Sequence, residues 1–223
     1  MITVHHLNNS RSQRVLWLLD ELGLPYEIKH YQRNKQTMLA PPELKAVHPL
    51  GKSPVITDGD VTIAETGAII EYLMERYAEG RLQPVKDSKE YWQYKYFMHY
   101  AEGSLMPPLV MKLVFNRIET SPMPFFVKPI AKKIAQRAKS TFIQPQIDLH
   151  LAFLEKELAK STWFAGDELT AADIQMSFPI QAAAARGGLT AQTHPKLSAF
   201  IDRITSRPAY KTALQRGGAF KLG

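Results

Sequence analysis

The stretch Gly51-Lys52-Ser53-Pro54-Val55-Ile56-Thr57-Asp58-Gly59-Asp60-Val61-Thr62-Ile63-Ala64-Glu65-Thr66 decides how this chain is read. Pro54 precedes the apolar run Val55-Ile56, and Asp58-Gly59-Asp60 turns the chain into a second strand, Val61 to Ala64. Glu65-Thr66 then opens an amphipathic helix. A cis Ser53–Pro54 bond is predicted, pointing the Ser53 backbone outward where the strand begins. The helix start sets a carboxylate beside unpaired backbone N–H groups. Together these features suit a small zwitterionic peptide, held by its main chain and by its amino-acid end.

Upstream, Ile2 to Leu7 reads as a strand. Ser10 or Ser12 caps a helix with apolar positions Val15, Leu18, Leu19 and Leu22, and Gly23 and Pro25 stop it. Tyr26 to His30 is a second strand, and a strand–helix–strand unit of this spacing predicts parallel pairing. Downstream, a helix over Thr66 to Tyr77 buries Ile69, Ile70 and Leu73. Residues 79 to 88 read as a linker. Beyond it strand signals nearly vanish, and helices are predicted from Lys89 to about Arg117, Pro124 to Lys160, Ala171 to Arg186, Pro195 to Arg207 and Ala209 to Gln215. Pro107-Pro108 predicts a break or kink in the first of these. Thr170-Ala171-Ala172-Asp173 is a capping box with Leu169 and Ile174 at the staple positions, a structural device.

The chain has 223 residues, 45% apolar and 22% charged, enough to bury a sizeable core. No apolar run is long enough to span a bilayer, and no signal-peptide pattern opens the chain, so a cytoplasmic protein with no membrane partner is expected. Cysteine is absent, which excludes disulfides, thiolate metal sites and a cysteine nucleophile. The histidines show no metal-ligand spacing, so no metal is expected. Net charge is +7. From Lys112 to Lys139 seven basic residues face one acid, Glu119, a window of net +6. Without a nucleic-acid-binding motif beside it, the window reads as a solvated helix face, and a nucleic-acid partner is not expected. Gly51-Lys52-Ser53 is not a phosphate loop, because Ala46 stands where that motif needs glycine and a strand follows it.

Four segments in this order carry a resemblance: Ser10-Arg11-Ser12-Gln13-Arg14, His48-Pro49-Leu50-Gly51-Lys52-Ser53-Pro54, Glu65-Thr66, and Leu169-Thr170-Ala171-Ala172-Asp173. Over nearly its whole length the chain resembles a soluble glutathione transferase, of a bacterial-like, serine or non-tyrosine type. The resemblance implies an α/β thioredoxin-like domain over residues 1–80, followed by an all-α domain over 89–223 that carries a hydrophobic substrate site. It implies a homodimer that conjugates glutathione thiolate to hydrophobic electrophiles, or reduces hydroperoxides with it. Glutathione is then a cosubstrate, and no cofactor is needed. Two other functions fit the same layout: a binding module without turnover, and a glutathione-dependent disulfide reductase.

By this resemblance the Ser53 backbone pairs with the cysteinyl unit of glutathione and Lys52 lies near the glycine carboxylate. Glu65 faces the γ-glutamyl ammonium, and Thr66 with its helix end takes the carboxylate. Catalysis needs the thiolate. A thiol of pKa near 8.5 is about 3% ionised at pH 7, and lowering it by about two units ionises roughly three quarters, for about 2.7 kcal/mol. Ser10 is the first candidate donor to that sulfur, Asn9 the second and Ser12 the third, with a water as the other source. In serine-type relatives the catalytic position lies about five residues before that of Arg14, and here Asn9 occupies it. Arg11 and Arg14, in a first helical turn that disfavours cations, are expected to pair with acids. Met106, Met111 and Phe115 are the candidates for the substrate wall, and Glu102 is a candidate to reach glutathione across a dimer interface.

Overall fold

The computed structural model describes every residue except Lys35, Ala219, Lys221 and Gly223. Strand β1 (Ile2–Leu7) leads through helix α1 (Ser12–Leu22) to β2 (Tyr26–Tyr31). After the short helix α2 (Pro42–Val47) come the hairpin β3 (Val55–Asp58) and β4 (Val61–Ala64), and then α3 (Thr66–Tyr77). The sheet order is β2-β1-β3-β4. Pairing is parallel between β1 and β2, with Val4 opposite Ile28, and antiparallel in the rest, with Ile56 opposite both Val4 and Ile63. Gly59 takes φ 58°, the left-handed value a two-residue hairpin loop asks of its first residue. This is the mixed sheet of a thioredoxin-like unit, and β2 runs one residue further than its sequence signal.

The remainder is helical: α4 (Lys89–Tyr100), α5 (Met106–Thr120), α6 (Lys128–Ala138), α7 (Gln144–Glu157), α8 (Ala171–Arg186), α9 (Pro195–Ser206) and α10 (Pro208–Gly217). Pro107-Pro108 does not break the path from α4 to α5. The turn before it, Ala101–Leu105, widens into a π-helix, and the Met106 N–H donates to the Ala101 carbonyl five residues back. A second π turn, Lys139–Ile143, precedes Pro145 and joins α6 to α7 in the same way. A proline removes an N–H and crowds the carbonyl four residues behind it, and the wider turn accommodates both.

One apolar core runs through both layers. Trp17 on α1 is fully buried and meets Tyr210 of α10 edge-on at 5.2 Å. α8 is buried on nearly every side, as its apolar residues all round its circumference require. Asp173 anchors its start: Thr170 donates to the carboxylate through its N–H at 2.9 Å and its hydroxyl at 2.8 Å, and the Phe164 N–H donates at 2.9 Å. Burial pushes this carboxyl up to about 6, against the three hydrogen bonds that pull it down.

Candidate functional site

The end of β1, the start of α1 and the turn before β3 converge. Arg11, not a serine, takes the N-cap place of α1, and the Ser10 hydroxyl accepts the Ser12 N–H at 3.3 Å. The hydroxyls form a chain. Ser53 Oγ lies 3.3 Å from Ser10 Oγ, Ser10 Oγ lies 2.6 Å from Ser12 Oγ, and Ser12 Oγ lies 2.9 Å from His6 Nδ1. Burial, with His30 close by, holds the His6 ring down to about 4, so it is neutral at pH 7. Its contact with the Gly217 backbone works the other way and raises it.

The His6 tautomer sets the order of the hydrogens: where Nδ1 accepts, Ser12 gives its hydrogen to His6 and Ser10 gives its own to Ser12 across the 2.6 Å contact. Ser53 donates to the His5 carbonyl at 3.0 Å and accepts the Leu7 N–H at 3.3 Å. In that order Ser10, itself buried, has only lone pairs left to offer, and turning its hydroxyl away from Ser12 would set two bare oxygens against each other. Ser12 is fully buried, with its hydroxyl between those of Ser10 and the His6 ring. Asn9 is exposed at the mouth of this loop, in the left-handed conformation (φ 51°) that asparagine tolerates.

Arg14 holds the site from beneath. It is 1% exposed, and it donates to Glu102 at 2.5 Å, to the Thr66 hydroxyl oxygen at 3.1 Å and to the Gln175 carbonyl at 2.7 Å. The last acceptor exists because of Pro179, which sits one turn further along α8 and has no N–H to occupy it. Burial pulls the guanidinium down to about 10 while Glu102 works against that. Burial also pushes Glu102 up, but Arg14 and Arg11 together hold it below its ordinary value. Arg11 binds the same carboxylate at 3.0 and 3.1 Å, so both arginines pair as their position in the first turn predicts. Glu102 is thus engaged within its own chain.

Two cavities meet at Ser53. One, about 270 Å³, is lined by Arg11, His48, Lys52, Ser53, Glu65, Thr66 and Glu102, together with Leu50, Pro54 and Ala64. The other, about 490 Å³, shares Arg11, Leu50, Lys52 and Ser53 with the first and adds Arg33 and Lys45, with no acid in its lining. The Ser53–Pro54 bond is cis. Glu65 holds φ 69°, a left-handed value costing a residue with a Cβ about 1–3 kcal/mol, at the N-cap of α3. Thr66 accepts from Arg14, which leaves its hydroxyl hydrogen and the α3 N-terminus to a ligand. The trough thus offers Glu65 beside a helix N-terminus at one end, where Glu102 is already paired with Arg11 and Arg14, and basic side chains without an acid at the other. An ammonium and a carboxylate on one carbon match the first end, and a lone carboxylate matches the second.

The structure brings Lys52, Ser53, Glu65 and Thr66 into one cavity, with Ser10 in hydrogen-bond reach of Ser53. It does not bring the three apolar candidates there. Met106 is 3% exposed and packs in the core, while Met111 and Phe115 are partly buried against it, and none lines either cavity. His48, Arg33 and Lys45 line the trough without having stood out in the sequence. His48 belongs to the Ser-Pro loop, and its Nδ1 is buried with no protein partner among the described residues. Among the described residues no group of three His, Cys, Asp or Glu side chains is placed to hold a metal, and no helix is long and apolar enough to cross a membrane.

Comparison with known proteins agrees with this geometry. Residues 1–75 match the family described as glutathione S-transferase, N-terminal domain, and residues 118–208 match its C-terminal domain. Glutathione S-transferase 1 of Saccharomyces cerevisiae is 34% identical over 98% of this chain and 96% of its own length. Glutathione S-transferase 3 of Schizosaccharomyces pombe is 37% identical over 97% of this chain and 88% of its own. A crystal structure of a glutathione S-transferase from Actinobacillus pleuropneumoniae is 35% identical, with a TM-score of 0.81, over 100% of this chain and 95% of that one.

Proposed function

The chain belongs to the glutathione S-transferase family and is an enzyme of that class, and we propose that it binds glutathione along the Thr66–Lys45 trough and conjugates it to hydrophobic electrophiles. The observation that carries this reading is the polarity of the trough. Glu65 and the Arg-paired Glu102 stand with the α3 N-terminus at one end and Arg33 and Lys45 at the other, while Arg11 and Lys52 line both. Glutathione has the same polarity, with a zwitterionic γ-glutamyl end and an anionic glycyl end. Ser53 lies between them, which sets the cysteinyl sulfur toward the β1–α1 loop.

In this reading Asn9, rather than Ser10, gives the hydrogen bond that stabilises the thiolate. The start of α1 adds its dipole. The thiolate attacks the electrophilic carbon, a C–S bond forms, and the leaving group departs with the bonding pair. The same thiolate can attack a hydroperoxide oxygen: an S–O bond forms, the O–O bond breaks and the alcohol leaves, and a second glutathione thiol then converts the sulfenic acid to glutathione disulfide and water. Exposed Trp92 and Tyr96 on α4 support a homodimer contact, and a chain without cysteine supports a cytoplasmic location.

Titration calorimetry with reduced glutathione, followed by turnover with a generic aryl halide, tests the reading. Glutathione binding that weakens in both Lys52→Ala and Glu65→Ala, with measurable conjugation, is the expected result. Binding with no turnover toward any electrophile or hydroperoxide would make the chain a binding module.

A further inference from the structure

The corner between α5 and α6 has no role in the trough, yet it is the most unusual surface of the molecule. Phe125 is 87% exposed and Phe126 65%, and Ile130 and Ile134 on α6 are each 62% exposed. Ala135 is the buried residue of α6. Phe126, Ile130, Lys133, Ile134 and Arg137 follow a spacing of four, seven, eight and eleven residues, so they share the outward face of the helical path. Soluble surfaces rarely leave neighbouring large apolar side chains this open without a partner.

The charge around them identifies that partner. Lys128, Lys132, Lys133 and Arg137 are exposed, and none makes an ion pair among the described residues. The one acid of the region, Glu119, is taken by Lys139 at 2.6 Å. A second copy of the chain would bring like charge against like. A nucleic-acid duplex, with its bases already stacked, would use the lysines and leave the phenylalanines in water. An anionic bilayer surface uses both, because apolar side chains enter the acyl boundary while basic ones reach the headgroups. We propose that the α5–α6 corner docks this enzyme on anionic lipid, inserting Phe125 and Phe126 and pairing Lys133 and Arg137 with headgroup phosphates. This docking is peripheral and adds a membrane partner that the sequence, with no spanning segment, did not suggest.

The test is cosedimentation of the full chain with phosphatidylcholine vesicles and with vesicles carrying about a quarter phosphatidylglycerol. The expected result is binding to the anionic vesicles only, weakened roughly tenfold or more by Phe125→Ser with Phe126→Ser. Lys133→Glu with Arg137→Glu should weaken it similarly, as should raising salt toward about 1 M. Both variants should keep conjugation of a water-soluble aryl halide at the parent rate, which also shows that they fold. Vesicle binding that is absent, or unchanged in both variants, overturns the proposal. So does a surface that retains duplex DNA but no vesicles, or a loss of the dimer in the phenylalanine variant.

Discussion

Arg14 donates to the Gln175 carbonyl at 2.7 Å, an oxygen that Pro179 leaves without its helical partner. The arginine thereby ties α1 to α8 while its other nitrogen serves Thr66 and Glu102 at the trough. Scaffold and binding end depend on one buried cation.

Removing the counter-charge should therefore be felt in stability. Glu102→Gln leaves Arg14 buried with neutral acceptors only. Breaking a buried pair costs about 3–5 kcal/mol, and solvent around the partly exposed Glu102 lowers this to about 2 kcal/mol here. Urea denaturation measures it. An unchanged midpoint would mean that the Gln175 carbonyl and the Thr66 hydroxyl suffice for Arg14.

Glu65 is expected to trade stability for binding. Its left-handed φ of 69° is paid by a residue whose carboxylate faces the trough. Glu65→Ala keeps the strain and should weaken glutathione binding by about 1.5–3 kcal/mol, the scale of a charge-assisted hydrogen bond. Glu65→Gly should lose the same affinity yet gain about 0.5–1 kcal/mol of stability, since glycine adopts that φ without a Cβ clash. Calorimetry and thermal melting, run on both variants, check the two halves. A glycine variant less stable than the parent would remove the strain argument.

The fold was legible where local chemistry and tertiary structure agree. The hairpin turn at Gly59, the α3 start at Thr66 and the box at Thr170 each follow from a short motif, and each stands where the motif puts it. The cation line of Arg33 and Lys45 was not legible, because those residues meet only when α2 and the loop after β2 fold over the Ser-Pro turn. The prolines at 107 and 108 misled, since a propensity for breaking does not reveal that the preceding turn can widen. The place of Met106 in the core was not legible either, because an adaptable side chain suits a ligand wall and a core equally. The hydroxyl order was hidden too, for the direction of Ser10 depends on His6, an alternating strand residue with nothing in its sequence context to mark it.

His6 and Asp173 should oppose each other in acid. The His6 pKa is about 4 in the fold against 6.5 unfolded, so its contribution is fully present above about 6.5 and is lost as pH falls toward 4. Asp173 is raised to about 6 from 3.8, so the folded state takes up its proton first and gains stability over nearly the same fall. Each is worth about 3 kcal/mol, and they nearly cancel. Wild-type stability should be almost flat from pH 6 to 4. His6→Asn removes one slope, and its stability should rise by about 2–3 kcal/mol over that fall. Chemical denaturation at several pH values reads this, and a His6→Asn profile parallel to the parent would contradict it.

The activating donor is open to the most direct experiment. If Asn9 stabilises the thiolate, Asn9→Ala should raise the pKa of bound glutathione by roughly one to two units, equivalent to about 1.4–2.7 kcal/mol. Affinity for the tripeptide should change less, because a neutral thiol still binds through Ser53, Glu65 and Thr66. Ser10→Ala should move the titration by less than about half a unit, since its hydrogen points to Ser12 and away from the trough. Ser12→Ala frees Ser10 from that obligation: Ser10 can then turn outward as a second donor, and the thiol pKa should stay or fall. His6→Asn acts at the far end of the same chain and should leave the thiolate in place if Asn9 carries it. The readout is thiolate absorbance of the binary complex against pH. A large upward shift in Ser10→Ala with none in Asn9→Ala would reverse the hydrogen order, requiring Ser12 to donate to Ser10 and His6 to carry its hydrogen on Nδ1.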